Sequence, residues 1–188
     1  MKKNKQFYLG IDISKPFFDV SVLAVTQTAK QEMQTAQFGN DASGLRLFAK
    51  WLTGLGVSYD ENSLVVIENT GIYHRPVWNF CSSKNLPIHI GNAAHIKWSL
   101  GITRGKSDKI DSQRLCEYGY RHREELKCTA ALNPVFLQLK DLMTNRTRLM
   151  HHLTSLKSYL KELKGVSDKS FISVQQRCNK AVIAGLKK

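Results

Sequence analysis

The chain has 188 residues, with 28 Lys and Arg against 15 Asp and Glu, a formal charge of +13, and 42% hydrophobic residues. A mean hydropathy of −0.31 with 12 Gly and 4 Pro excludes a disordered, collagen-like or low-complexity chain, because enough apolar surface exists to offset the entropy of ordering. No stretch reaches the roughly 18 apolar residues of a membrane span, and the start at Met1-Lys2-Lys3 runs into a strand instead of an apolar signal segment, so a soluble cytoplasmic chain with no membrane partner is expected.

Phe7 to Ser14 alternates, with Leu9, Ile11 and Ile13 on one face and Tyr8, Gly10 and Asp12 on the other, which reads as a half-buried strand with Asp12 pointing away from the aliphatic face. Phe18 to Val25 repeats the pattern after the Lys15-Pro16 break. Gln31 to Phe38 is a weaker, more polar run that suits an edge strand, and three consecutive strands predict an antiparallel meander. Asn40 to Ser43 supplies N-cap chemistry, and Leu45, Phe48, Leu52 and Leu55 then recur at helical spacing up to Gly56. Leu64 to Ile67 is a continuous apolar run ending at Glu68, as a central strand covered on both faces would show. A helix around Pro76 to Lys84 and a short strand from Leu86 to Ile90 follow. Asn92 to Ser107 is mixed and basic and reads as a loop or short helix, and a further helix runs from Ser107 or Asp108 to about Tyr120. The order βββαβαβα predicts an α/β fold, a mixed sheet with flanking helices.

Asn133-Pro134 is an N-cap with proline at the first helical position, and a long helix is predicted from there to Leu163, before Gly165. Val135, Leu139, Leu142, Arg146, Leu149, Leu153, Leu156, Leu160 and Leu163 step alternately by four and three, a coiled-coil seam interrupted only by Arg146. The seam joins chains into a homo-oligomer or packs on its own domain. Phe171 to Leu186 is helical in pattern, capped by Ser167 or Asp168, and fits a hairpin folded back on the long helix. Two parts are expected: residues 1–128 as a sheet domain and 133–188 as a basic coiled-coil or helical-hairpin arm.

The charge is unevenly spread: residues 1–120 carry 14 basic and 10 acidic side chains, a net +4, and residues 121–188 carry 14 and 5, a net +9. A polyanion such as DNA or RNA is the partner this implies, since Lys and Arg at phosphates release condensed counterions. Cys81, Cys116, Cys128 and Cys178 stand singly without zinc-type spacing, so free thiols are expected.

Four acids occupy positions where mere solvation is unusual. Asp12 lies in the first strand, Glu68 ends the apolar strand before Asn69-Thr70-Gly71, and Asp108 and Asp111 are three apart on one helix face. Oxygen-rich sets of this kind hold magnesium or manganese, and two ions about 4 Å apart can activate the attacking oxygen and stabilise the leaving one at phosphorus. Tyr73, His74 and Arg75 follow Glu68 closely and could line the same face. Competing motifs are weaker. Gly101 to Ser107 has three residues between its glycines where a P-loop needs four, and Gly10-Ile11-Asp12 also occurs in actin-like and sugar-kinase ATPases, which need a second half. His151 and His152 diverge by about 100° on a helix and do not chelate one ion easily.

YLGIDISK, VVIENTG and KSDKIDS resemble the three motifs of the DEDD transposases related to the Piv DNA invertase, over residues 6 to about 125. The resemblance implies an RNase H-like, RuvC-like catalytic domain with Asp12, Glu68, Asp108 and Asp111 as catalytic metal ligands for Mg2+ or Mn2+. It also implies a bacterial insertion-sequence transposase or site-specific recombinase acting on DNA, with a guide RNA as a partner. Lys97, Arg104, Lys106 and Lys109 are expected as phosphate contacts near the acids, and Arg146 and Arg148 on the long helix. The family's second domain, which carries an attacking serine, has no counterpart among these residues, so an incomplete transposase is expected. A stand-alone RuvC-like nuclease acting on DNA junctions, or a non-catalytic nucleic-acid-binding oligomerisation module, are the alternatives.

Overall fold

The structure, a computed structural model, describes residues 6–26, 29–69, 71–100, 108–130 and 133–186, with backbone only at 100, 108 and 109. Two compact units divide the chain, Met1–Ala131 and Leu132–Lys188.

The first unit is built on five strands, β1 (Gln6–Ile13), β2 (Phe17–Val25), β3 (Gln34–Gly39), β4 (Ser63–Glu68) and β5 (Ile88–Gly91), in the order β3-β2-β1-β4-β5. β1 pairs antiparallel with β2, which pairs antiparallel with β3. β4 lies parallel to both β1 and β5. This is the mixed sheet with flanking helices predicted from the strand order, and the polar third run is indeed an edge. Its pairing begins at Gln34 instead of Gln31, leaving Lys30 in an isolated bridge to Val25.

One face of the sheet is covered by α1 (Ala42–Gly54) and α2 (Arg75–Ser83). Asp41 caps α1, its carboxylate accepting from the Gly44 amide at 2.7 Å, and Pro76 sits in the first turn of α2, where its missing N–H costs nothing. Phe48 of α1 meets Phe18, Phe38 and Phe80 with ring centroids 5.3 to 5.5 Å apart. Leu9, Ile11, Val20, Leu52, Val65, Ile67 and Val77 are also fully buried.

The opposite face is covered by α4 (Asp108–Arg121), joined at its edge by α3 (Ala93–Leu100). Here the reading of β1 as half-buried needs correction. Tyr8 is buried as deeply as Phe7, because α4 lies directly on the Tyr8, Gly10 and Asp12 face. A Cβ on Gly10 would run into the Ser112 carbonyl and the Cys116 backbone, so glycine is what lets the helix approach. The Cys116 thiol donates to the Tyr8 carbonyl at 3.1 Å, and the Ser21 and Ser112 hydroxyls pair at 2.8 Å. α3 takes part of the segment read as loop or short helix; Ile96 anchors it in a buried cluster with Val66, Leu115 and Tyr118. The Gly101–Ser107 segment lies outside the described residues.

The second unit holds α5 (Pro134–Leu163) and α6 (Lys169–Gly185), which pack on one another. Asn133 caps α5 through its side chain, accepting from Val135 N at 2.9 Å. Leu153 and Ile172 are buried, and Leu156, Leu160 and Leu163 are half-buried. Val135, Leu139 and Leu142 on the same seam remain 66%, 52% and 66% exposed. Among the described residues no helix is long and apolar enough to cross a membrane. All four cysteines are free. Burial pushes the Cys81 and Cys116 thiols up to about 12, and Cys128 and Cys178 are exposed.

Candidate functional site

The pairing of β1 with β4 ends at Ile11 and Ile67. Asp12 and Glu68 are the next residue on each strand, so they stand side by side at a strand spacing of about 4.8 Å. They also share a face. Gly10, two residues before Asp12, abuts α4, and Val66, two before Glu68, packs on Leu115 and Tyr118 of α4.

α4 runs antiparallel to β1, since Tyr8 packs on Cys116 and Tyr120 while Gly10 lies against Ser112 and Cys116. Two further strand residues advance about 6.6 Å, or roughly four residues of helix, which brings the level of Asp12 to the first turn of α4. That turn carries Asp108 and Asp111. Glu68 is also the β-partner of Gly91, which opens the short link to α3. The backbone therefore gathers all four expected acids at one end of the sheet, although the segments bearing them come from three separate parts of the sequence.

The side chains differ in their surroundings. Asp12 and Glu68 are half-buried. Asp111 is half exposed and accepts from the Arg114 guanidinium at 3.0 Å, an i,i+3 pair within the helix. The carboxylate of Asp108 and the amine of Lys109 lie outside the described side chains. Oxygen donors alone suit a hard divalent cation, so the chemistry of the set fits magnesium or manganese. Among the described residues no three His, Cys, Asp or Glu side chains lie close enough together to hold an ion.

A fifth acid was missed by the sequence reading. Asp19 is the direct cross-strand partner of Asp12 on β2 and shares its face, with its carboxylate accepting from Gln37 Nε2 at 3.2 Å. The signal was present in the hairpin: a short turn after Ile13 that pairs it with Phe18 places residue 19 opposite residue 12.

The expected phosphate contacts fall into three groups. Lys97 is exposed on α3, as are His95 and Trp98; Arg146 and Arg148 are exposed on α5 in the second unit; Arg104 and Lys106 lie outside the described residues. Of the residues after Glu68, Tyr73 is partly exposed and Arg75 half-buried. His74 turns inward, its ring centroid 6.4 Å from that of Trp78, and so does not line the surface.

A mixed α/β sheet whose parallel strands end in carboxylates beneath the start of a helix defines the class of this domain. The chain belongs to the transposase family DEDD_Tnp_IS110, which it matches over residues 9–163. No curated protein sequence matches it. Among solved structures, RuvC from Thermus thermophilus in complex with a Holliday junction substrate is similar at 12% identity, covering 66% of this chain and 99% of that one with a TM-score of 0.49. A further Thermus thermophilus RuvC structure is similar at 12% identity and a TM-score of 0.46, covering 66% and 100%.

Proposed function

We propose that this chain is the RNase H-like part of an insertion-sequence transposase, performing divalent-metal-dependent phosphodiester chemistry on DNA with RNA guidance. The reading rests chiefly on the placement of Asp12 and Glu68 on adjacent parallel strand ends, facing the turn of α4 that bears Asp108 and Asp111. Acids placed at one end of the sheet by strands and a helix can take Mg2+ or Mn2+ once their side chains turn to a common ion and Asp111 releases Arg114, and bound ions would supply the charge that stabilises an in-line displacement at phosphorus. Lys97, Lys109, Arg104 and Lys106 contribute phosphate contacts beside the acids, and the α5–α6 arm contributes nucleic-acid affinity and self-association.

One observation favours a second reading. Asp111 is already neutralised by Arg114 of its own helix, as in a nucleic-acid-binding module that no longer cleaves. Melting with millimolar Mg2+ or Mn2+ against EDTA separates the two, because an ion that binds only the folded chain raises its melting temperature by mass action. The catalytic reading expects a rise for the wild type and none for Asp12→Asn, together with metal-dependent nicking of branched or duplex DNA. DNA binding with neither response would support the non-catalytic module instead.

A further inference from the structure

The pairing of β1 with β4 stops just short of the two acids, and beyond it the chains part. After Asp12, β1 enters a turn closed by Ser14 N–H donating to the Phe17 carbonyl at 2.9 Å, which sends the chain into β2. After Glu68, β4 passes Gly71, whose φ of +76° needs glycine, and continues towards α2. Asp12 stays paired with Asp19 of β2 and Glu68 with Gly91 of β5, so past Ile11 and Ile67 the β1–β4 ladder no longer ties the two segments to each other.

Asn40, at the end of β3, supplies a link. Its Nδ2 donates to the Ser14 carbonyl at 3.0 Å and to the Tyr73 carbonyl at 2.9 Å, and its own backbone N–H donates to the Pro16 carbonyl at 3.0 Å. Carbonyl oxygens only accept, so the amide orientation is fixed by its partners and both of its N–H groups are used. Asn40 is itself held in place: Asp41 caps α1, and Gly44 sits so close to the Gly39 backbone that a Cβ there would collide with it. One rigid turn therefore grips the loop that follows Asp12 and the loop that follows Glu68.

We propose that Asn40 is a positioning residue that sets the separation of the Asp12 and Glu68 carboxylates by tying Ser14 to Tyr73 through a single amide. The inference rests on the reading of those two acids as metal ligands. A partner that orients a ligand without touching the ion typically changes metal affinity by 10- to 100-fold when removed.

The test compares wild type, Asn40→Asp, Asn40→Ser and Val57→Ala in the full chain, titrating Mn2+ against the melting temperature and following hydrogen exchange of the amides. Asn40→Asp keeps the size but turns oxygens towards two carbonyls. It is expected to raise the Mn2+ concentration for the half-maximal melting shift by about tenfold or more. It should also speed exchange in both residues 14–17 and 71–74. Asn40→Ser, retaining one donor, is expected to fall between Asn40→Asp and wild type, and it carries the test if Asn40→Asp does not fold. Val57→Ala trims a buried side chain past the far end of α1 and controls for lost stability, so it should lower melting in EDTA and leave the Mn2+ midpoint in place. A wild-type midpoint in both Asn40 variants, with Asp12→Asn unresponsive, would overturn the role of Asn40 alone. A wild type that does not respond to Mn2+ would remove the metal reading and this inference with it.

Discussion

Single atoms decide how α4 meets the sheet, and Gly10 is the clearest case. Its missing Cβ is the space in which the Ser112 carbonyl and the Cys116 backbone lie, and neither can move without lifting the helix. Gly10→Ala is therefore expected to destabilise the fold by about 3 kcal/mol or more, at the upper end of overpacking costs, with urea unfolding as the measure. A loss well under 1 kcal/mol would mean that α4 does not pack where the structure puts it. Asp41 gives a pH-dependent case. The Ser43 hydroxyl at 2.6 Å and the Gly44 amide hold its carboxyl below the usual carboxylate range. A lowered folded-state value means that the stabilisation is complete above the unfolded-state value of about 3.9 and is lost as pH falls through the lower folded one. Asp41→Asn keeps an acceptor at the cap but cannot titrate. Its melting temperature should fall less than that of wild type on acidification from pH 5 to 3.

At the level of elements, α5 is a helix with half of its apolar seam covered. Where α6 packs on α5, Leu153 is buried and Leu156, Leu160 and Leu163 are half-buried, whereas Val135, Leu139 and Leu142 carry the same repeat and are exposed. An apolar stripe of this kind calls for a partner, and a second copy offering the same repeat meets it with matching knobs and holes. The wild type is accordingly expected to self-associate at micromolar concentration in light scattering, and Leu139→Glu with Leu142→Glu to be monomeric. A monomeric wild type would contradict this. The seam was readable in the sequence because its period is local to one helix, and so were the strands, from alternation and apolar runs. What alternation could not give was the covering of Tyr8 and Gly10, which depends on residues of α4 about a hundred positions away. α3 was half hidden for a related reason: among its described side chains Ile96 alone is buried, too little to set up a period. The four acids were legible as motifs, and Asp19 was not, because its importance lies only in the cross-strand partner it meets.

Across the whole molecule, charge is divided unequally between the two units. Leu132–Lys188 carries 11 basic and 3 acidic side chains, a net +8, against 17 and 12, a net +5, in Met1–Ala131. The first unit also collects acids at one end of its sheet, where bare carboxylates repel phosphate and a bound divalent cation would reverse that repulsion. The arm carries no such acidic cluster in its sequence. Affinity from the arm should thus be independent of metal and nearly independent of base sequence, since phosphate contacts position a duplex without reading it. Binding is expected to weaken steeply with salt. Arg146→Ala with Arg148→Ala should reduce the slope of log affinity against log salt by about 0.9 for each phosphate that is no longer neutralised, equally on unrelated duplexes. An unchanged slope would remove these two arginines from the interface. A weakening confined to one DNA sequence would instead mean that the arm reads bases, for which a helix has to enter the major groove.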